Sequence, residues 1–332
     1  PGGEAVPVVY IKEQGSCLRR KGEQIAVTKG SQTLLEFPIH HVDNIVVLGN
    51  VQVTSQVLAK LLGQGIDISY FSFGGKYIGH TVAENSKNIF LRFAQYEAYN
   101  DRERRLAIAK QIVENKGYNQ ISLIKSFHWE REDYDYRKDA GQIEELLRML
   151  PGKQNSQEIM GIEGMCSNIY FHCFRHMLKN SGAFEKRVRR PPRDPVNAIL
   201  SLAYTFLLKD MALLLEGALF ELYLGFLHGI RYGRKSLALD MMEEWRQPIA
   251  DRLVLKLFNK RMLAEYDFQE DAGDGVFLNE EGFRKFCKEY ERWMAEPNFC
   301  NKSWRLLMKQ QVGVLKKSLE EGGSYIPFRY EG

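Results

Sequence analysis

Ile66-Asp67-Ile68-Ser69-Tyr70-Phe71, a turn at Gly74-Gly75, then Tyr77-Ile78-Gly79-His80: this stretch alternates like a half-buried strand pair. Beyond it the period changes. From Asn88 onward Ile89, Phe90, Phe93, Tyr96 and Tyr99 fall on one helical stripe. Leu106, Ala109, Ile112 and Val113 continue that stripe towards a stop at Gly117. Strand content therefore ends near Val82, and the switch of period divides the chain.

Working back from the switch, short β-rich runs stand at Val8-Val9-Tyr10-Ile11, Cys17 to Arg20, Gln24 to Val27, Thr33 to Phe37 and Asn44 to Leu48. Gly15, Gly22 and Gly30 punctuate them, as in a small sandwich or meander. Thr54 or Ser55 caps one helix reaching about Leu62. Working forward, helices are predicted over 120–131, 140–149, 156–179, 195–209, 210–229, 238–260 and 279–295, with Asp194-Pro195 a strong helix start. The fold class read from this is α+β. A small N-terminal β-sandwich-like domain over 1–86 precedes a larger all-α domain over 87–321, and 322–332 reads as a loose tail.

The chain has 332 residues, 44% of them hydrophobic, enough for real cores. No stretch of about 18 apolar residues lacks a charge, which argues against a membrane span. The start, Pro1-Gly2-Gly3-Glu4, has neither the basic nor the apolar region of a secretory signal. It also has no initiator Met, so the chain reads as trimmed or as the downstream half of a longer polypeptide. Five cysteines at 17, 166, 173, 287 and 300 form no Cys-x-x-Cys pair, which disfavours a structural zinc or a disulfide framework and fits a reducing cytoplasm. A net charge of +4 is too mild to indicate nucleic-acid binding by itself; clustering matters more.

Three places could carry chemistry. Gly161-Ile162-Glu163-Gly164 lies inside a predicted helix, where each glycine costs roughly 1 kcal/mol relative to alanine. Either tight helix packing or close approach of a ligand to Glu163 accounts for the two glycines. His228, in Gly225-Phe226-Leu227-His228-Gly229, precedes the basic loop Arg231-Tyr232-Gly233-Arg234-Lys235. It reads as a hydrogen-bonded core histidine or as a group facing a phosphate. Asp240 and Glu243, three apart, share a helix face that Ser236 can cap; acids in a first turn are also common for dipole reasons alone. Carboxylates and an imidazole from separate segments make a donor set for Mg²⁺ or Mn²⁺, the cations that phosphodiester chemistry uses.

Basic residues cluster nearby. Lys179, Lys186, Arg187, Arg189, Arg190 and Arg193 fall within fifteen residues, opposed by Glu185 and Asp194, and Arg231, Arg234, Lys235 and Arg246 add to them. Such a run points to a phosphate-contact surface. His172 and His176, at i,i+4, could hold zinc, but no Glu follows His172 and no third ligand is apparent. His40-His41 carries no signal, and Glu216 and Glu221 read as structural.

Arg189-Arg190-Pro191-Pro192-Arg193-Asp194-Pro195-Val196-Asn197-Ala198-Ile199-Leu200-Ser201 resembles a "RxPxDPxNAxLS" block of the Cas1 family, the integrases of CRISPR adaptation. Gly225-Phe226-Leu227-His228 with Ser236 to Arg246 resembles that family's "GFLH…SLALDLMEEFR" segment, with Trp245 where Phe is usual. Gly161 to Gly164 resembles its Glu motif. The resemblance implies a β domain that dimerises, joined to a helical catalytic domain. It also implies a divalent metal on Glu163, His228 and Glu243, with Asp240 supporting. The implied function is a metal-dependent DNA endonuclease and integrase. It inserts short double-stranded fragments into a repeat array by attack of a 3′-hydroxyl on a phosphodiester, without a covalent enzyme intermediate. The implied partners are a second copy, a Cas2 dimer bridging two integrase dimers, and in fused members Cas4. A prokaryotic cytoplasmic location goes with this. A metal-dependent nuclease cutting branched DNA in repair, a DNA-binding scaffold that has lost its metal and an RNA-binding regulator are the rivals. The last is weak, since no RNP-type or KH-type motif is present.

Overall fold

The alternating runs of the N-terminal unit become β1 (Val8–Ile11), β2 (Cys17–Lys21), β3 (Gln24–Lys29), β4 (Gln32–Pro38), β5 (Asn44–Leu48), β6 (Gln52–Val53), α1 (Ser55–Leu62), β7 (Asp67–Phe71) and β8 (Tyr77–Thr81). The computed structural model describes residues 8–42, 44–72, 77–82, 89–127, 134–179, 184–189, 191–270 and 275–331. The expected Gly74-Gly75 turn and Arg190 lie outside the described residues. One sheet has the order β1-β5-β7-β8, parallel except for the last pair, with Ile45 opposite Ile68. The other runs β4-β3-β2-β6, with Leu18 opposite Val27. Both sheets feed one core: Ile11, Ile45, Val47 and Ile68 from the first, Leu18, Ile25 and Val27 from the second, with Val57 and Leu61 of α1. The chain separates into two compact units, Pro1–Ser86 and Lys87–Gly332.

The second unit contains α2 (Phe90–Asn100), α3 (Arg102–Ser126), α4 (Tyr136–Leu147), α5 (Ser156–Met177), α6 (Pro195–Gly217), α7 (Ser236–Met242), α8 (Arg252–Asn259), α9 (Glu280–Ala295) and α10 (Trp304–Glu321). It also carries two small antiparallel ribbons, β9 (Phe268–Glu270) with β10 (Val276–Leu278) and β11 (Pro297–Phe299) with β12 (Lys302–Ser303), so it is helical without being purely so. Asp101 divides the long stripe into α2 and α3, because its carboxylate accepts from the N–H groups of Glu103 and Arg104. Gly117 does not stop α3. It makes room for α4, since a Cβ there would meet Leu147 at 2.6 Å. At the start of α6, Asp194 accepts from Asn197 N–H at 2.8 Å and Pro195 takes the first turn. By length and composition α6 could cross a membrane, but 67% of its most apolar window is buried inside the unit. It is the central core helix, through Ile199, Phe206, Leu207, Met211 and Leu215.

Two expectations are corrected here. No helix spans 210–229. The chain leaves α6 through Ala218, turns at Leu219 with φ 76°, and continues to Lys235 without regular structure. Side chains supply the polar partners a helix would have given: the Gln95 amide donates to the Glu221 and Leu224 carbonyls at 2.9 Å and accepts from Glu221 N–H. The expected loose tail is not loose over its described residues, 322–331. Tyr325 and Tyr330 are buried, Gln311 donates to the Tyr325 hydroxyl oxygen at 2.9 Å, and Tyr330 N–H donates to Asn119 at 2.8 Å. Phe328 stacks on Trp245 with ring centres 4.4 Å apart.

Candidate active site

Lys116 projects from α3 into the unit and is the charged member of that helix's buried residues, among Ile112, Val113, Asn119 and Gln120. Its ammonium donates to Glu163 Oε1 and lies 2.6 Å from Glu243 Oε2, so carboxylates eighty residues apart in sequence meet on one positive charge. Side-chain exposure is 7% for Lys116 and 4% for Glu243. Glu163 is anchored within α5 by the Ser167 hydroxyl at 2.9 Å. Burial pushes the Glu163 carboxyl up, but the Lys116 charge and its hydrogen bond outweigh it and hold the group down at about 2. Glu243 is likewise held below the ordinary carboxylate range: burial opposes ionisation, and Arg246 and Lys116 override it. Removing one member of such a buried set costs roughly 3–5 kcal/mol because the remaining charge is stranded.

Gly161 and Gly164 flank Glu163 on an exposed stretch of α5, and a Cβ on either would meet nothing within 4 Å. Of the two explanations for these glycines, tight helix packing is therefore not found. The surroundings of this part of the helix are open.

Asp240 and Glu243 were expected on one face but do different work. Asp240 is buried, and its carboxylate accepts from the backbone N–H groups of Phe226, Leu227 and His228 at 2.6–2.9 Å. It also holds His228 Nδ1 at 2.6 Å. A carboxylate accepts, so Nδ1 is the ring nitrogen that donates to Asp240, and Nε2 is the one left for another partner. The 225–228 strand of chain presses on the first turn of α7 so closely that a Cβ at Gly225 would meet Asp240 at 2.7 Å. α7 begins at Ser236 without a side-chain cap, and Glu243 sits just past its end.

Among the described residues, no cluster of three or more His, Cys, Asp or Glu side chains is gathered for a metal. The structure brings Glu163 to Glu243 through Lys116, and His228 to Asp240. The donor chemistry nevertheless fits a hard divalent cation. Two ionised carboxylates already converge on a cation, and an imidazole with its Nδ1 engaged by a buried carboxylate is the usual second support of a ligating histidine.

Behind the carboxylates lies a π-helical turn, Arg246–Asp251, a distortion that recurs at functional sites. Two arginines expected at a phosphate-facing surface are turned into this region. Arg246 Nε makes a 2.9 Å ion pair with Glu243, and its guanidinium lies 4.5 Å over the Tyr204 ring. Arg187 donates to Asn197 Oδ1 at 2.9 Å and Ser201 Oγ at 3.0 Å and covers the same ring. Both stand inward because α6 offers an aromatic face and acceptors there. Asn197 also accepts from Val188 N–H and donates to the Lys186 carbonyl, so this block fastens the basic loop to α6. Asp251 accepts from the Tyr170 and Tyr204 hydroxyls at 2.8 and 2.6 Å. Burial raises it to about 6 against those two hydrogen bonds.

Arg189, Arg193 and Arg231 remain exposed, and Tyr232 is fully exposed at the tip of the 229–235 loop. Arg234 and Lys235 are half-buried; the Arg234 guanidinium donates back to the Gly229 carbonyl and Ser236 Oγ, which closes the loop on itself. His172 contacts Asp139 at 3.5 Å and His176 stacks on Tyr134, so the histidine pair packs against the start of α4. Lys116, Asp251 and Glu244 are the residues the sequence did not single out. Glu244 is buried, accepts from Phe328 N–H at 2.8 Å and from the Tyr325 hydroxyl, and is raised by burial to about 8.

A family model described as "CRISPR associated protein Cas1" matches residues 9–292. The "CRISPR-associated endonuclease Cas1 3" of Thermus thermophilus is 37% identical over 89% of this chain and 87% of its own length. A "CRISPR-associated exonuclease Cas4/endonuclease Cas1 fusion" of Geobacter sulfurreducens is 31% identical over 94% of this chain, which spans 57% of the fusion. The solved structure of a Cas1 protein from Thermotoga maritima superposes with a TM-score of 0.84 at 29% identity, over 98% of this chain and all of that one. The fold is shared with a casposase bound to integration product, at TM-score 0.84 and 22% identity over 98% of this chain and 94% of that one. It is shared also with a chain of a Cas6-RT-Cas1–Cas2 complex, at TM-score 0.83 and 21% identity over 99% of this chain and 36% of that one. With the family model covering most of its length, and a strand-rich unit followed by a helical one carrying the paired carboxylates, the chain belongs to the Cas1 family of CRISPR-associated proteins.

Proposed function

We propose that this chain is a metal-dependent DNA integrase that joins the 3′-hydroxyl of a short DNA fragment to a phosphodiester of a CRISPR repeat array. The supporting observation is the convergence of Glu163 and Glu243 on one buried positive charge. Glu163 and Glu243, with His228 through Nε2, would hold Mg²⁺ or Mn²⁺, which supplies Lewis-acid polarisation of the phosphate and a lower pKa for the attacking hydroxyl. Asp240 fixes the ring of His228 and the backbone of 226–228, so this side chain reaches the reaction already oriented. Arg246 stays on Glu243 and keeps that carboxylate ionised.

Exposed Arg189, Arg193 and Arg231 would contact the duplex backbone, so DNA affinity falls as salt rises. The assembly is a homodimer through the β unit, two of which flank a Cas2 dimer; a Cas1–Cas2 complex among the similar structures supports the Cas2 partner, and a Cas4 fusion among the relatives supports Cas4. A substrate of this kind places the activity in the prokaryotic cytoplasm. The test is Glu163→Gln in a strand-joining assay with a fragment bearing free 3′-hydroxyls, a repeat-containing target, Cas2 and Mn²⁺. Joining should fall at least a hundredfold in protein that still folds, with DNA affinity kept. An unimpaired variant would refute the assignment. A branched-DNA nuclease would instead cut equally well without Cas2.

A further inference from the structure

We propose that Lys116 is a resident counter-ion of the carboxylate pair, whose ammonium competes with a divalent cation for one place and must withdraw when the cation binds. This rests on the metal reading above. The ammonium touches both carboxylates, Glu163 from α5 and Glu243 from the end of α7. Two ionised carboxylates so close and so buried repel each other unless a cation stands between them. In this structure that cation belongs to the protein.

The local charges then decide what a divalent ion meets. Glu163 and Glu243 are balanced by Lys116 and Arg246, so the set is neutral as it stands. A dication added to a balanced set meets a positive charge 2.6 Å from one of its own ligands. Entry is therefore opposed until one of the two cations leaves. Arg246 is the fixed one, with its guanidinium packed 4.5 Å over Tyr204 and three residues from Glu243 on the same turn of chain. Lys116 is the movable one: a compact charge on an unbranched four-carbon stem, anchored on a different helix from either carboxylate. Open space beside Gly161 and Gly164 leaves the Glu163 stretch of α5 free to be approached. Lys116 thus keeps the metal-free protein folded, lowers cation affinity, and positions the pair without being a ligand.

The experiment uses the full chain. Mn²⁺ is titrated calorimetrically into the parent, Lys116→Met and Lys116→Gln, each with and without Glu163→Gln, and melting is recorded in EDTA and in Mn²⁺. Both Lys116 variants should bind Mn²⁺ at least tenfold more tightly than the parent, through Glu163. They should melt several degrees lower in EDTA and recover with Mn²⁺, a pattern a purely structural lysine would not give. Glu163-dependent binding that is equal or weaker in the variants overturns the proposal and leaves the metal site standing. Absence of Glu163-dependent binding in every protein overturns the metal site too. A measurement on the parent does not depend on the variants folding: reductive methylation of Lys116, followed by peptide mass spectrometry, should speed up on adding Mn²⁺. An unchanged or slower rate overturns the proposal.

Discussion

Asp251→Asn should lose its stability deficit relative to the parent as pH rises. Asp251 is fully buried between two tyrosine hydroxyls, and its carboxyl is raised from 3.8 to about 6. A raised folded-state value means the native protein holds this proton more tightly than the unfolded chain does. The contribution is fully present below pH 4 and is lost as pH climbs through about 6. At 1.36 kcal/mol per unit, this shift amounts to about 3 kcal/mol lost by the parent between acid and pH 8. Asparagine has the same shape and no charge to bury, so it escapes that loss. It cannot accept from both hydroxyls, however, and one mismatched buried partner costs roughly 1–3 kcal/mol at every pH. Below pH 5 the variant should therefore melt lower than the parent. Above pH 7 the gap should close or invert. For a helical unit of this size 1 kcal/mol moves the melting temperature by roughly 2 °C, so the difference should travel about 6 °C over pH 4–8. Differential scanning calorimetry of both proteins in matched buffers measures it, and taking the difference cancels every other titrating group. A difference that stays flat across that range would show that Asp251 is ionised in the native state throughout and would refute the burial argument.

The arginines divide into two kinds that mutagenesis separates. Arg189→Glu with Arg193→Glu should weaken duplex binding and reduce the slope of log affinity against log salt by about 2, with melting unchanged. Arg187→Ala should instead lower the melting temperature, because the bonds to Asn197 and Ser201 and the cover over Tyr204 are lost, while the salt slope of the folded protein stays as it was. Phe328→Ala, which strips the half-buried stacked ring from Trp245, should cost about 1–3 kcal/mol by denaturant titration and alter the tryptophan near-ultraviolet dichroism.

Much of this molecule could be read from residue order alone, where local chemistry decides the outcome. Period-two and period-3.6 patterns located the β and α regions, and Asp194-Pro195 marked the start of α6 because capping depends on neighbours three residues apart. The failures share one cause: partners that are distant in sequence. Ala218 to His228 is apolar enough for a helix, yet Gln95 and Asp240 satisfy its backbone from 126 and 13 residues away. Gly117 looks like a terminator until Leu147 of another helix is found lying over it. The helix Trp304–Glu321 was missed, although Leu307, Met308, Leu315 and Leu319 form an apolar stripe. For the site, the sequence nominates Glu163, His228, Asp240 and Glu243, and the structure ties Asp240 to the turn and to His228. Lys116 left one trace, a charge amid the apolar positions Ile112 and Val113 of α3, whose meaning needs both carboxylates to be seen. That Arg187 and Arg246 turn inward was not legible, because a run of arginines does not reveal which of them an aromatic ring will hold.

The segment from Tyr325 to Tyr330 is made after every residue it packs against. A ribosome that stalls within α10, or a message cut short there, yields a polypeptide with all four acid and imidazole candidates but without the rings and amides that clasp Glu244, Trp245 and Asn119. The turn carrying Glu243 is then left unsupported. The last residues to be made thus hold the carboxylate turn in place from behind.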